Sequence, residues 1–240
     1  MGFPKNLFIS IFVSVLGTLL VLGYFGLVPF FSNLTGASTP RDLGVRYNNS
    51  DLMSINQKTG IKYLALNGGL PKETISLQGQ QHLDVAFTQE ELTALMNQHS
   101  TDWRLYPIED VQMKISAYGT VELTGVLRMD VIDEYGQATN MPVQVQNQLQ
   151  DQFKYIKSNP RFYVRFKGSI ENNKAIGEVY EAEIGRIPVG QDWLTANREL
   201  ILGMVEDRLK NAGLFVENAT FANGQVHFKG TGPQTIGFAR

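Results

Sequence analysis

The sequence predicts an α+β fold: an N-terminal transmembrane helix, then a domain of antiparallel sheet packed on amphipathic helices, with a strand-helix-hairpin unit present twice. Three observations predict it. No charged residue occurs from position 7 to position 31. Between positions 192 and 211, Trp193, Leu194, Leu200, Ile201, Met204, Val205 and Leu209 recur at the three-to-four spacing that places side chains on one helical face. The order strand, helix, hairpin over residues 177–232 is anticipated over residues 76–131.

Composition bounds the rest. The chain has 240 residues, of which 43% are hydrophobic, enough for one sizeable core once an anchor is set aside. A net charge of -2 supplies no basic field for a phosphate backbone, so nucleic acid is not an expected partner. The absence of cysteine excludes disulfides, thiolate nucleophiles, iron–sulfur clusters and cysteine zinc sites.

The uncharged run of about 25 residues would make a helix of roughly 37 Å, long enough to cross a bilayer. Tyr24, Phe25, Phe30 and Phe31 gather toward its far end, where aromatic rings favour an interface, and Pro29 should loosen the helix. Lys5 before the run and Arg41 after it give a thin bias toward an inside N-terminus. The expected layout is a membrane anchor over residues 1–31, a polar tether over 32–49 and an extracytoplasmic α+β domain over 50–240. This places the chain in the cell membrane as a single-pass protein. A cleaved signal peptide ending near Thr35-Gly36-Ala37 is the rival reading, but the run exceeds the ~7 to 15 residues of a signal core.

Ser50 is positioned to cap a short helix over residues 51–58, which Gly60 would end. Residues 77–87 read as one strand with Leu83, Val85 and Phe87 alternating. It leads into the capping box Thr88-Gln-Glu-Glu91 of a helix over 89–99. A strand follows through Val111, Met113 and Ile115, then a Tyr118-Gly119 turn and a strand through Val121 and Leu123. A glutamine-rich helix is expected over 142–157, from the spacing of Val145, Leu149, Phe153 and Ile156. Phe162, Val164 and Phe166 alternate with Tyr163, Arg165 and Lys167 in a strand that Asn172-Asn173 turns into a partner over 175–184. The long helix over 192–211 stops at Gly213, and Asn223-Gly224 joins the final hairpin.

Motifs that carry chemistry are sparse. His82, His99 and His227 stand apart from one another and from clustered carboxylates, which predicts surface or strand histidines and no metal site. Asp130, Asp133 and Glu134 read as turn residues, and no calcium-loop, phosphate-loop, nucleophile-elbow or dinucleotide pattern occurs. No catalytic residue, metal or cofactor is expected, and the chain does not read as an enzyme.

The repeated hairpins, the link Gly185-Arg-Ile-Pro-Val-Gly190 and the stretch Phe87-Thr-Gln-Glu-Glu-Leu-Thr-Ala-Leu-Met-Asn97 together carry a resemblance. Over residues 76–233 the pattern is similar to single-pass bacterial envelope proteins of the YpmS-like type, whose soluble part resembles tubular lipid-binding (TULIP-like) domains. The resemblance implies a curved antiparallel sheet wrapped on a long helix, and the binding of lipid or another hydrophobic ligand at the cell envelope. Phe162, Val164, Phe166, Trp193, Leu200 and Met204 are the candidate ligand-binding residues. The alternative is a structural or partner-binding envelope protein in which the same residues close a core, because a ligand lining and a packed core are both apolar.

Overall fold

A computed structural model describes residues 5–25, 36–37, 39–143, 146–147 and 158–240. Its helices are α1 (Lys5–Tyr24), α2 (Asn49–Thr59), α3 (Gln89–Asp102), α4 (Ile132–Ala138), α5 (Gln191–Ala196) and α6 (Arg198–Asn211). Its strands are β1 (Lys62–Leu66), β2 (Ile75–Gln78), β3 (Gln81–Thr88), β4 (Ile108–Ile115), β5 (Thr120–Leu127), β6 (Arg161–Glu171), β7 (Lys174–Ile184), β8 (Ile187–Pro188), β9 (Phe215–Ala222), β10 (Gln225–Gly232) and β11 (Thr235–Ala239).

The fold is α+β, built on an eight-stranded antiparallel sheet whose main path runs β3-β10-β9-β6-β5-β4. β6 is the junction. β7 pairs with it along nearly its whole length, while β5 takes residues 161–167 and β9 residues 169–171 on the remaining edge. Register shifts leave an extra residue on β4 against β5, on β7 against β6 and on β9 against β10, which bends those strands and curls the sheet. A separate three-stranded sheet has β11 between β1 and β2.

Among the described residues no helix is long and apolar enough to cross a membrane. The span expected over residues 7–31 is therefore corrected: α1 starts at the charged Lys5 and ends at Tyr24. Lys5 and Asn6 leave about 18 residues of apolar sequence, under the ~20 a bilayer core asks for, and Ser10, Ser14, Gly17 and Thr18 dilute even those. The anchor, the single-pass topology and the cell-membrane location go with it. Pro29, Phe30 and Phe31 lie outside the described residues, as does nearly all of the helix expected over 142–157.

Other expectations shift by local chemistry. Asn48, not Ser50, caps α2: its Oδ1 accepts from Ser50 N, and Asp51 accepts from Asn48 N. The strand expected over 77–87 is two, because Gly79 at φ 68° sends β2 into the small sheet and β3 into the large one. The single helix over 192–211 is broken at Asn197, whose side-chain amide donates to Trp193 O. Asn172-Asn173 and Asn223-Gly224, all at positive φ, make the two hairpin turns as read. The two units repeat in order, β3-α3-β4-β5 and β7-β8-α5-α6-β9-β10, but differ in wiring. β3 pairs with β10 whereas β7 pairs with β6.

Residues 39–48, expected within the tether, lie against the sheet instead. Ala37 and Val45 are buried, Arg41 N donates to Thr124 Oγ1, and Leu43 N donates to Gln112 Oε1. The Arg41 guanidinium sits 3.7 Å from the centre of the Tyr163 ring and pairs with Glu181 and Glu183. At the other end of the domain, Trp103, Leu105, Val131, Ala138 and Phe238 form the principal core, and Trp103 Nε1 donates to the buried Thr74 hydroxyl.

Helices cover the open edges of the large sheet with side chains. Along β4, Val111 N, Met113 N and Ile115 N donate to Asn97 Oδ1, Thr93 Oγ1 and Gln89 Oε1, and Asn97 Nδ2 returns a bond to Val111 O. Gln89, Thr93 and Asn97 are four apart and share one face of α3, so a polar stripe replaces the missing strand. Asn97→Ala leaves the buried Val111 backbone without partners and is expected to lower unfolding free energy by about 2 kcal/mol. Gln98→Ala, which removes only an α3 surface pair with Asp102, is expected to cost under about 0.5 kcal/mol. Urea unfolding of both variants measures the difference.

Candidate functional site

The site starts from a cross-strand pair of glycines. Gly168 on β6 lies opposite Gly177 on β7, and the backbones approach so closely that a Cβ on either would stand 2.7 Å from a carbonyl oxygen of the other strand. Ala175 lies two residues from Gly177 on the same face, so this part of the sheet surface carries little side chain. Above it pass α5 and α6, which contain one buried residue, Leu194, between them. A helix that lies on a sheet normally buries an apolar stripe. Here the small floor gives the stripe nothing to reach.

The result is a slot of about 350 Å³ whose lining is almost wholly apolar. Leu194, Ile201, Leu202 and Val205 form the roof, and Val164, Phe166, Ile170, Val179 and Phe221 surround the glycine floor. The slot opens to solvent beside Gln191 and Arg198, both exposed.

The roof is pinned along the open edge of β7 by polar side chains. Glu206 Oε1 accepts from Ala175 N at 3.1 Å, Arg198 Nε donates to Gly177 O at 2.8 Å, and Gln191 Nε2 reaches Val179 O at 3.4 Å. Lys174, 2.7 Å from Glu206, holds that carboxyl below its usual range, as does the Ala175 amide.

Of the six residues expected to bind ligand, the structure brings Val164 and Phe166 to the slot. Phe162 lies in the same strand but packs beside Gly125. Trp193 is exposed, and Met204 lines a separate cleft of about 40 Å³ with Met141, Pro142, Asp207 and Arg208. Leu200 is half-buried away from the slot. On the helices each expected residue, Trp193, Leu200 and Met204, immediately precedes a lining residue, Leu194, Ile201 and Val205. One residue is about 100° of helical rotation. The periodicity finds a wide apolar face and does not say which half meets the sheet.

The histidines divide. His82 and His227 are exposed on strands, whereas His99 on α3 is enclosed by the rings of Tyr63, Tyr106 and Phe238 at 6.1, 5.7 and 5.1 Å. Its Nε2 has no hydrogen-bond partner among the described residues. Burial pushes the imidazole down to about 4; Asp102 opposes the shift and Arg208 adds to it. Burial also pushes Tyr63 up to about 12 and Tyr106 further. Among the described residues no three His, Asp or Glu side chains form a metal-binding group.

No family model matches the chain, and neither a curated protein nor a solved structure matches it.

Because the folded pKa of His99 lies below the unfolded value near 6.5, the unfolded chain takes up the proton first. Its contribution is complete above pH 6.5 and is lost as pH falls to about 4, by roughly 3 kcal/mol in all. His99→Phe is expected to flatten the dependence of thermal midpoint on pH across that window.

Proposed function

We propose that the chain is a binding module, not an enzyme, and that it holds a hydrophobic ligand in the slot between α5–α6 and the β6–β7 hairpin. The observation that carries this reading is an apolar space of about 350 Å³ beneath a helix, α6, with no buried residue. Ligand sites are typically concave, largely apolar spaces of ~300–1,000 Å³ with a few polar groups at one side. The sheet floor is fixed by backbone pairing and the roof by Gln191, Arg198 and Glu206, so the space does not depend on the ligand to form it. Occupancy would remove from water the apolar surface that the roof leaves uncovered, at about 25 cal/mol per Å². The resemblance of residues 76–233 to tubular lipid-binding domains supports the same reading.

Ile201→Trp fills the slot from its roof and is expected to weaken binding of dodecanol at least tenfold with little change in thermal midpoint. Met204→Glu, on the neighbouring face of α6, is expected to leave binding within about twofold. Displacement of a polarity-sensitive fluorophore measures both. Equal affinity of wild type and Ile201→Trp overturns the proposal.

A further inference from the structure

The two sheets treat their edges differently. On the large sheet, side chains of α3, α5 and α6 bond the outward backbone groups of β4 and β7. On the small sheet β1 is an edge, paired with β11 alone. Lys62 N donates to Gln234 O, and the parallel register runs unbroken from Lys62↔Thr235 to Leu66↔Ala239. Successive residues of a strand direct their backbone groups to opposite sides, so Lys62, Leu64 and Leu66 bond β11 while the N–H and C=O of Tyr63 and Ala65 point outward. Among the described residues no side chain or other backbone group bonds them. β1 also lacks what shields an edge: it has no proline, no bulge and no charge except Lys62 at its end. Leu64, on the face opposite the Tyr63–Phe238 ring contact, is 50% exposed.

We infer that β1 is a self-association edge, which pairs antiparallel with β1 of a second copy about a twofold axis at Leu64. The outward groups set this register. With Leu64 opposite its own copy, each Tyr63 lies opposite an Ala65 of the other chain in a hydrogen-bonded pair, and every outward N–H meets an outward C=O. A twofold axis at Tyr63 or at Ala65 would leave half of these groups in β1 unmatched. Leu64 occupies the pair without hydrogen bonds, where side chains stand closest, and covers its own copy. The large Tyr63 side chain meets the small Ala65. The two Lys62 residues are offset by about 13 Å along the strands, beyond the ~8 Å screening length at physiological salt. Two copies thereby join in one continuous sheet, β2-β11-β1-β1-β11-β2. The contact is short, so association is weak and concentration-dependent, as for interfaces below ~1,200 Å².

The chain has no cysteine, so one introduced thiol reports one contact. In this register the two Leu64 Cα atoms lie about 4.5 Å apart, within disulfide reach, and the two Lys62 Cα atoms do not. Under mild oxidation with diamide, the full chain carrying Leu64→Cys is expected to form a disulfide-linked dimer at least about tenfold faster than the chain carrying Lys62→Cys. Ala65→Pro removes an outward N–H that β11 does not use. It is expected to slow cross-linking of Leu64→Cys by about tenfold and to leave the thermal midpoint unchanged. Should Ala65→Pro lower the midpoint, the comparison of Leu64→Cys with Lys62→Cys decides. Sedimentation of the unsubstituted chain is expected to show monomer and dimer in equilibrium. Equal cross-linking at positions 62 and 64, or cross-linking that survives Ala65→Pro, overturns the proposal. A chain that stays monomeric to about 1 mM also overturns it, and leaves the edge to a strand of a different protein.

Discussion

The structure depends on what happens to backbone amides and carbonyls at the open edges of the large sheet. A buried backbone group without a partner costs about as much as a lost hydrogen bond or more. β4 meets the stripe Gln89-Thr93-Asn97 of α3, β7 meets Gln191, Arg198 and Glu206 of α5 and α6, and on β3 Ala86 O accepts from Lys58 of α2. Each helix thus takes the place of a strand, which blocks pairing with another chain along that edge and fixes the helix relative to the sheet. The Lys58 contact extends inward to Glu91, a nearly buried carboxylate that also accepts from Ser54 Oγ and Thr88 N. Burial alone would raise its pKa, and these bonds together outweigh burial and lower it.

Edge coverage also explains why the slot exists. On β4 the helix sits close, and Thr93 and Ala94 are fully buried between helix and sheet. On β7 the anchors are Gln191, Arg198 and Glu206, and they hold α6 at the strand's edge over a floor of glycine and alanine. The same device gives a packed contact at one end of the sheet and an open one at the other. The difference lies in the size of the residues they span.

Polar contacts elsewhere act on placement more than on stability. Arg41, Arg161 and Arg165 meet Glu181 and Glu183 on the outer face of β6 and β7, partly exposed. Pairs of this kind contribute between nothing and about 1 kcal/mol each. Their geometry nonetheless lays residues 39–45 across β5 and β4, and Arg186 reaches to 4.2 Å from the Tyr24 ring of α1. The weight of folding rests on the aromatic core around Trp103 and Phe238, whose rings stack at 5.8 Å.

By itself the sequence determined the features that a few neighbouring residues decide. The Thr88–Glu91 capping box, the Asn223-Gly224 and Asn172-Asn173 turns, the stop at Gly213, the alternation in β6 and the antiparallel α+β class are all local, because a cap or a type I′ turn is chosen within about four residues. Val164 and Phe166 could be assigned to the slot for the same reason, since alternation names the face of a strand. Only the tertiary structure decided the roof. Leu194, Ile201 and Val205 face the sheet instead of Trp193, Leu200 and Met204 because long-range bonds from Arg198 to Gly177 and from Glu206 to Ala175 fix the rotation of α6. The split of the 77–87 strand follows from separate partners, β11 and β10, more than 135 positions away in sequence. The length and end of α1, and the aromatic enclosure of His99, were equally beyond periodicity. It reports which side chains are apolar and not what comes to rest against them.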